Sequence, residues 1–310
     1  MTARIEVLAE GEPPAFMSVR QVARYLQLNE KKIYALLKSG DIPGTKITGK
    51  WLFPRELIDR WVRDSAHGGL LHDRLIVCGG DDPLLHALFL QLGREHGARA
   101  LIAYSPGGSR LGLDLLQNGR ADVSVLHWGP DSEAETRHPA LLRRYPQHRQ
   151  WILLHLFRRQ AGILLGPEIH PQTDGLEQLL DPSASLRWCL RQQGSGMQRF
   201  FEEALGQLPR KYPAPEPVVI ALSERDAARQ LALGTADCAP GCAATAAEHG
   251  LGFLPLGWES LDLVLPQSIY FRQLFQQMLE ALHSNTFSRD AERLAGYDLE
   301  HCGRITWNGE

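Results

Sequence analysis

The sequence lacks the features of a membrane or secreted protein. No apolar run approaches the ~20 residues needed to cross a bilayer. The opening stretch, MTARIEVLAEGEPPAF, carries Glu6, Glu10 and Glu12 and no apolar core of signal-peptide type. A cytoplasmic location with no membrane partner is the expectation. Cysteine is scarce and odd in number: Cys78, Cys189, Cys238, Cys242 and Cys302. That argues against a disulfide framework. Cys238 and Cys242 stand together in ADCAPGC, but a CxxxC pair without further Cys or His at ligand spacing is a weak metal signal, and the favoured reading is two small buried residues around a turn. The expectation is no metal and no cofactor. Catalytic signatures are missing too: there is no GxSxG elbow, HExxH, Walker loop, or GxGxxG after a first strand. The twelve histidines are not spaced with acids in a recognisable way, so no catalytic residue is assigned.

What is present is an ordinary globular composition with an uneven charge. The chain has 310 residues, 44% hydrophobic and 22% charged, enough for two or three units of roughly 50–150 residues. The formal charge of −3 conceals a basic head: Met17 to Ser65 hold ten Lys/Arg against five Asp/Glu, leaving 23 basic and 31 acidic residues elsewhere. A +5 segment on a −8 remainder is the pattern of a polyanion-binding module joined to something else.

The basic head, residues 17–65, reads as three short helices and a hairpin. Ser18 can cap VRQVARYLQL, where Val19, Val22, Ala23 and Leu26 recur at helical spacing. Asn29 can cap EKKIYALLKSG, which turns Ile33, Leu36 and Leu37 inward and leaves Lys31, Lys32, Tyr34 and Lys38 outside; Gly40 suits its stop. Two short helices across a tight turn are the helix-turn-helix arrangement. TKITGKWLF is a hairpin about Thr48-Gly49 flanked by Lys46 and Lys50, and Pro54 opens a last helix, PRELIDRWVRD.

From SVRQ to DRW this stretch resembles the excisionase or MerR-type winged helix domain over its full length. The resemblance implies double-stranded DNA as partner, with Asn29, Lys31, Lys32, Tyr34 and Lys38 on the recognition helix and Lys46, Thr48 and Lys50 on the wing. Compact ammonium groups are better suited to phosphates than to reading bases. A homodimer is expected, because one such domain buries little DNA surface and half-sites are commonly paired.

A small, Gly-rich linker over 66–72 leads to residues 73–306, where strands and helices alternate. RLIVCGG, ALIAY and DVSVLHW are strands separated by helices, a βαβαβ order that implies a parallel sheet covered on its faces. SLRWCL, PVVIAL, TADCAPG and LGFLPLG form a second such series, and WILLHLFRRQAGILL can cross between them. The chain returns through ESLDLVLP and closes with helices from Gln267 to about Ala295. The expected fold is thus α/β, with a winged helix-turn-helix followed by two lobes around a cleft, the periplasmic-binding-protein architecture. GGSRLGLDLLQNGRADVSVLHW, FRRQAGILLGP, LRWCLRQQGSGMQRFFEE, LALGTADCAPG and LAGYDLEHCGRI resemble, in order and spacing, the substrate-binding-protein-like domain of certain bacterial regulators, which is related to molybdate and tungstate binding proteins.

In open α/β sheets ligands bind beyond the carboxyl ends of strands, and helix starts there favour anions. The cleft loops then offer Gly80, Asp81, Ser105, Gly108, Ser109, His127, Trp128, Gly194, Ser195 and Gly196, with Arg191 as a nearby cation and Asp237 in a later loop. The related domains carry Thr and then Arg after Gly-Ser-Gly, where this chain has Met197-Gln198 and only then Arg199. That departure, with Asp81 and Asp82 at the first loop, leaves a small organic anion as reasonable as molybdate or tungstate. The function expected is a ligand-sensing transcription regulator; the alternatives are a ligand-free DNA-binding protein with a degenerate cleft, and an enzyme on the two-lobed fold.

Overall fold

A computed structural model describes residues 14–39, 42–47, 49–66, 74–169 and 175–309. The chain folds as two compact units, 1–72 and 73–310. Gly40, Thr48 and all of the 66–72 linker but Ala66 lie outside the described residues.

The first unit runs β1 (Phe16–Met17), α1 (Val19–Tyr25), α2 (Glu30–Ser39), β2 (Thr45–Ile47), β3 (Lys50–Pro54) and α3 (Arg55–Ala66). Helix α1 starts at a reciprocal cap: the Ser18 hydroxyl accepts from the Gln21 amide while the Gln21 side chain accepts from the Ser18 amide. Strand β3 lies between β1 and β2, antiparallel to both. The hairpin turns at Gly49, whose φ of +85° is open to glycine without a Cβ penalty. Met17, Val22, Ile33, Phe53 and Ile58 are fully buried together, and Leu36, Leu37, Trp51 and Trp61 pack around them. Three helices and a wing thus surround one small core; β1, two residues long, is the element that the periodicity does not announce.

The second unit opens with β4 (Arg74–Gly79), α4 (Pro83–His96), β5 (Leu101–Pro106), α5 (Ser109–Gln117), β6 (Val123–Leu126) and α6 (Ala134–Leu142). It crosses over on β7 (Trp151–Leu165), then builds α7 (Leu176–Leu179), β8 (Trp188–Arg191), α8 (Gly196–Gly206), β9 (Pro217–Ala221), α9 (Glu224–Ala232), β10 (Cys238–Cys242) and α10 (Ala243–His249). It returns on β11 (Gly252–Pro266) and ends in α11 (Gln267–Tyr270), α12 (Gln273–Leu282), α13 (Asn285–Leu294), β12 (Tyr297–Asp298) and β13 (Ile305–Trp307). The sheet order is β5-β4-β6-β11-β7-β10-β8-β9, with β12 and β13 also paired to β7. Strands β4, β5 and β6 are mutually parallel, as are β8, β9 and β10. The antiparallel pair β7 and β11 runs through both lobes.

Both faces of the crossing pair are packed. Ile152, Leu154, Phe157, Leu261 and Leu263 join α4, α12 and α13 on one side, whereas Leu153 and Val264 join α5 and α6 on the other. In the second lobe Phe201 of α8 and Leu176 and Leu179 of α7 cover Ile163, Leu165 and Trp188, while Ala227, Ala228 and Leu231 of α9 cover Leu164 and Ala239. LGFLPLG and ESLDLVLP, separate segments by their pattern, are one strand with register shifts at Pro255/Gly257 and Leu261/Asp262. Pro255 and the glycines that suggest a break are accommodated as a bulge. Helix α6, which contains Pro139, leaves no readable period.

The two faces of α2 should differ in their cost of truncation. Ile33→Ala removes a fully buried side chain and is expected to destabilise the first unit by roughly 2–5 kcal/mol. Tyr34→Ala, on the exposed side, is expected to stay within about 0.5 kcal/mol. Amide hydrogen exchange of residues 17–65 in the full chain, read against denaturant, measures both.

Candidate DNA-reading face and interlobe groove

Helix α2 presents its charge outward because its apolar residues occupy the other side. Lys31, Lys32, Tyr34 and Lys38 are exposed, and so are Lys46 and Lys50 of the wing. The Asn29 side chain accepts the Lys32 amide at 2.7 Å, so it starts the helix. The Lys46 ammonium lies 6.0 Å from the centre of the Trp51 ring, which fixes the lysine stem along the wing.

The two lobes of the second unit are closed on one another where the sequence places a cleft. Gly108 in the loop before α5 lies against Ser195 before α8, the Gln192 amide donates to Gly107 O at 2.8 Å, and Arg110 N donates to Gly194 O at 3.2 Å. Gly196 opens α8 directly on His127: a Cβ there would stand 2.1 Å from the His127 carbonyl, so only glycine fits. Arg137 of α6 pairs with Glu203 of α8 across the same boundary.

Several of the expected cleft residues are brought together, but their polar atoms face protein partners. The Ser109 hydroxyl donates to His127 O at 2.9 Å and accepts the His127 amide. Ser195 caps α8 by accepting the Gln198 amide. The buried Arg191 donates to the carbonyls of Ala221 and Leu222, and burial lowers its pKa. Gly80 packs on the His127 ring, and half-buried Trp128 carries the Arg110 guanidinium 5.7 Å from its ring centre. Two expectations are corrected. Ser105 is exposed on edge strand β5. Asp237 sits at the amino ends of β8 and β10, held by the Arg187 amide and guanidinium, at the opposite end of the strands from Gly194. It anchors a strand start to an arginine instead of standing in a carboxyl-end loop.

At the centre of this closed boundary is Arg159 on β7, 1% exposed. Its guanidinium donates to Glu259 Oε1 at 2.8 Å, Asp82 Oδ2 at 3.0 Å, Glu224 Oε1 at 2.6 Å and Asp81 O at 2.7 Å. These partners come from the crossing strand β11, the start of α4 and the start of α9. Glu259 Oε2 meets His127 Nδ1 at 2.9 Å, Tyr297 donates to Asp82, and the Asp81 carboxylate takes His86 at 2.9 Å and the Arg225 amide at 3.1 Å. Burial pushes Glu259 up, but His127 and Arg159 outweigh it and hold the carboxyl at about 2. Asp81 behaves alike: burial raises it, yet His86 and the Arg225 amide overcome that and keep it well below the ordinary range. Burial dominates at Asp82, raising it, and at Cys242, which stays a thiol. Four carboxylates, Asp81, Asp82, Glu224 and Glu259, thus stand against two guanidiniums, Arg159 and Arg191, and two imidazoles, His86 and His127.

Arg159, Glu224 and Glu259 escape a reading of the sequence alone. The available signal is charge inside apolar strands, FRRQ within WILLHLFRRQAGILL and Glu259 within ESLDLVLP. A buried strand keeps an ionisable residue only when something pairs with it. All five cysteines are free, and among the described residues no group of His, Cys, Asp and Glu is arranged to hold a metal ion. Among the described residues no helix is long and apolar enough to cross a membrane.

A helix-turn-helix joined to two parallel lobes on a shared pair of crossing strands defines a binding protein with a DNA-binding head. A family profile described as a PBP superfamily domain matches residues 91–283, and a second, described as a helix-turn-helix domain, matches residues 16–66. The chain belongs to the PBP superfamily. The uncharacterized protein YvgK of Bacillus subtilis is 23% identical over 93% of this chain and 96% of its own length. The fold is similar to that of a phosphate-bound ABC-transporter substrate-binding protein of Clostridium perfringens, with a TM-score of 0.53 at 9% identity over 73% of this chain and 100% of that one. It is also similar to a hydrogen-peroxide-bound OxyR mutant of Corynebacterium glutamicum, with a TM-score of 0.51 at 14% identity over 89% and 90%. The two domains point to a binding or regulatory protein.

The depressed carboxyls set an acid limit. A group whose folded pKa lies below its ordinary value stabilises the fold above that ordinary value and loses the contribution as pH falls. For Glu259 the window runs from about 4.5 down to about 2 and is worth on the order of 3 kcal/mol. Glu259→Gln should flatten stability against pH in that window and, by removing the contribution of the depressed carboxyl, lower stability at pH 7 by about 3 kcal/mol. Urea melts of wild type and variant across pH 2–7 give both numbers.

Proposed function

We propose that this protein is a one-component transcription regulator. It binds double-stranded DNA as a homodimer through α2 and the wing, and senses a small ligand between its two lobes. The observation that carries the reading is the exposed row Lys31, Lys32, Tyr34 and Lys38 on the second helix of a helix-turn-helix, in a chain whose other unit has the PBP fold. Lysines so placed fit phosphates, so they supply affinity and register more than sequence choice. Ligand acts through its differential affinity for open and closed lobes, and the DNA response cannot exceed that difference.

The groove favours some ligands over others. With Ser109, Ser195 and Arg191 already hydrogen-bonded to protein, it matches a doubly charged oxyanion such as molybdate or tungstate poorly. Trp128 beneath Arg110 matches an organic molecule carrying at most one anionic group. The second reading, a DNA-binding protein that takes no ligand, is favoured by the direct protein contacts across the groove at Gly108–Ser195 and Gly196–His127.

Two measurements separate these readings. On a duplex recovered from random DNA by in vitro selection, Lys31→Ala and Lys32→Ala should each weaken binding broadly and reduce the salt slope by about 1; an unchanged slope refutes DNA binding by this face. In thermal melts of the full chain, a small carboxylate at ~100 times its Kd should add about 2.7 kcal/mol and shift DNA affinity, with molybdate, tungstate and phosphate weaker. Melts that no compound moves would establish the ligand-free reading.

A further inference from the structure

A polar cavity of about 340 Å³ lies on the opposite face of the crossing strands from Arg159. Arg158 and Arg159 are neighbours on β7, and Glu259 and Ser260 on β11, so each pair projects to opposite faces. The floor of the cavity is His155, Arg158, Ser260 and Asp262. One wall is the turn after β6 and the start of α6, with Asp131 and Glu135, and the other is the C-terminal segment, with Glu300 and Arg304. Pairing fixes this layout: β6 flanks β11 on one side, and β12 and β13 flank β7 on the other.

Most floor charges are internally matched. Arg158 bridges Asp131 and Asp298, Ser260 donates to Asp131, and Asp262 is shared by His138 at 2.6 Å and His155 at 2.9 Å. That last arrangement orients the His155 ring, because its Nδ1 is held by a carboxylate. On the walls the situation differs. Among the described residues neither Glu135 nor Arg304 has a charged partner, and both are exposed. They stand on opposite sides of a floor two strands wide; three strand spacings separate β6 from β13, about 14 Å. The volume between the walls, about 340 Å³, is that of one small molecule. Ala134 is the one apolar residue in the lining.

We infer that this cavity binds a small zwitterion of the α-amino acid class, its ammonium toward Glu135 and its carboxylate toward Arg304. A bare anion would meet Asp131, Glu135, Asp262 and Glu300, and a bare cation would meet Arg158 and Arg304; a molecule bearing both charges satisfies both walls. This site is independent of the interlobe ligand proposed above, and none of its lining residues comes from β8, β9 or β10.

The test is isothermal titration calorimetry of the full-length protein with each standard L-amino acid, with acetate and methylammonium as single-charge controls. At least one amino acid should bind, and neither control should bind comparably. Arg304→Gln and Glu135→Gln are surface changes that leave the melting temperature intact, and each should weaken binding about tenfold or more, as loss of a charge-assisted hydrogen bond does. No heat from any amino acid at roughly 10 mM, a Kd range that still reports weak binding, would overturn the proposal. So would acetate binding as tightly as the amino acid, or affinity unmoved in both variants.

Discussion

A guanidinium removed from water costs several kcal/mol, and it persists only where every N–H finds an acceptor and the charge finds its opposite. Arg159 meets that demand by drawing one carboxylate from each lobe and one from the crossing strand between them. The lobes therefore close around a charge that neither could house alone. If Asp82 and Glu224 moved apart, the arginine would be left half-paired, so the closed arrangement is held by the penalty of the alternative as much as by attraction. Buried ion clusters of this kind add little net stability over a well-packed apolar core. What this one confers is a defined geometry at the boundary between the lobes.

The same cluster reshapes what the groove can recognise. Loops with Gly-Ser before helices are generic anion sites when their amides and hydroxyls are free. Here Ser109 serves the His127 backbone and Ser195 its own helix, and the carboxylates and cations beneath them are paired with one another. The shared fold with substrate-binding proteins supplies the two-lobed frame, while recognition belongs to side chains that differ between members.

The fold is largely legible because it rests on patterns written locally. Helix α1 follows from Ser18 and the 3.6-residue recurrence of Val19, Val22 and Ala23, and the wing from the glycine at its tip. The parallel strands follow from short apolar runs ending in glycine. The site is less legible, because it depends on distance in space. Arg159 and Glu224 are 65 positions apart and Arg159 and Glu259 100, and no spacing rule joins them. Ser109, His127, Ser195 and Gly196 can be found from loop chemistry and are brought together. Asp237 falls at the other end of its strand from the one expected, since TADCAPG gives no sign of where the strand begins. Helix α6 and strands β12 and β13 go unannounced, the first for its proline, the others for their brevity.

Strands β7 and β11 pair over fourteen positions without interruption apart from two bulges, which restricts how the two lobes can move on one another. Most hinges are loops whose dihedral angles swing freely; this one is a hydrogen-bonded ribbon that can twist or bend at its irregularities but cannot unfold without losing its ladder. Pro255 to Gly257 and Leu261 to Asp262 mark where the ribbon is softest. Any rotation of one lobe against the other on such a spine must bend the ladder itself, so its cost is carried by backbone hydrogen bonds and not by loose connections.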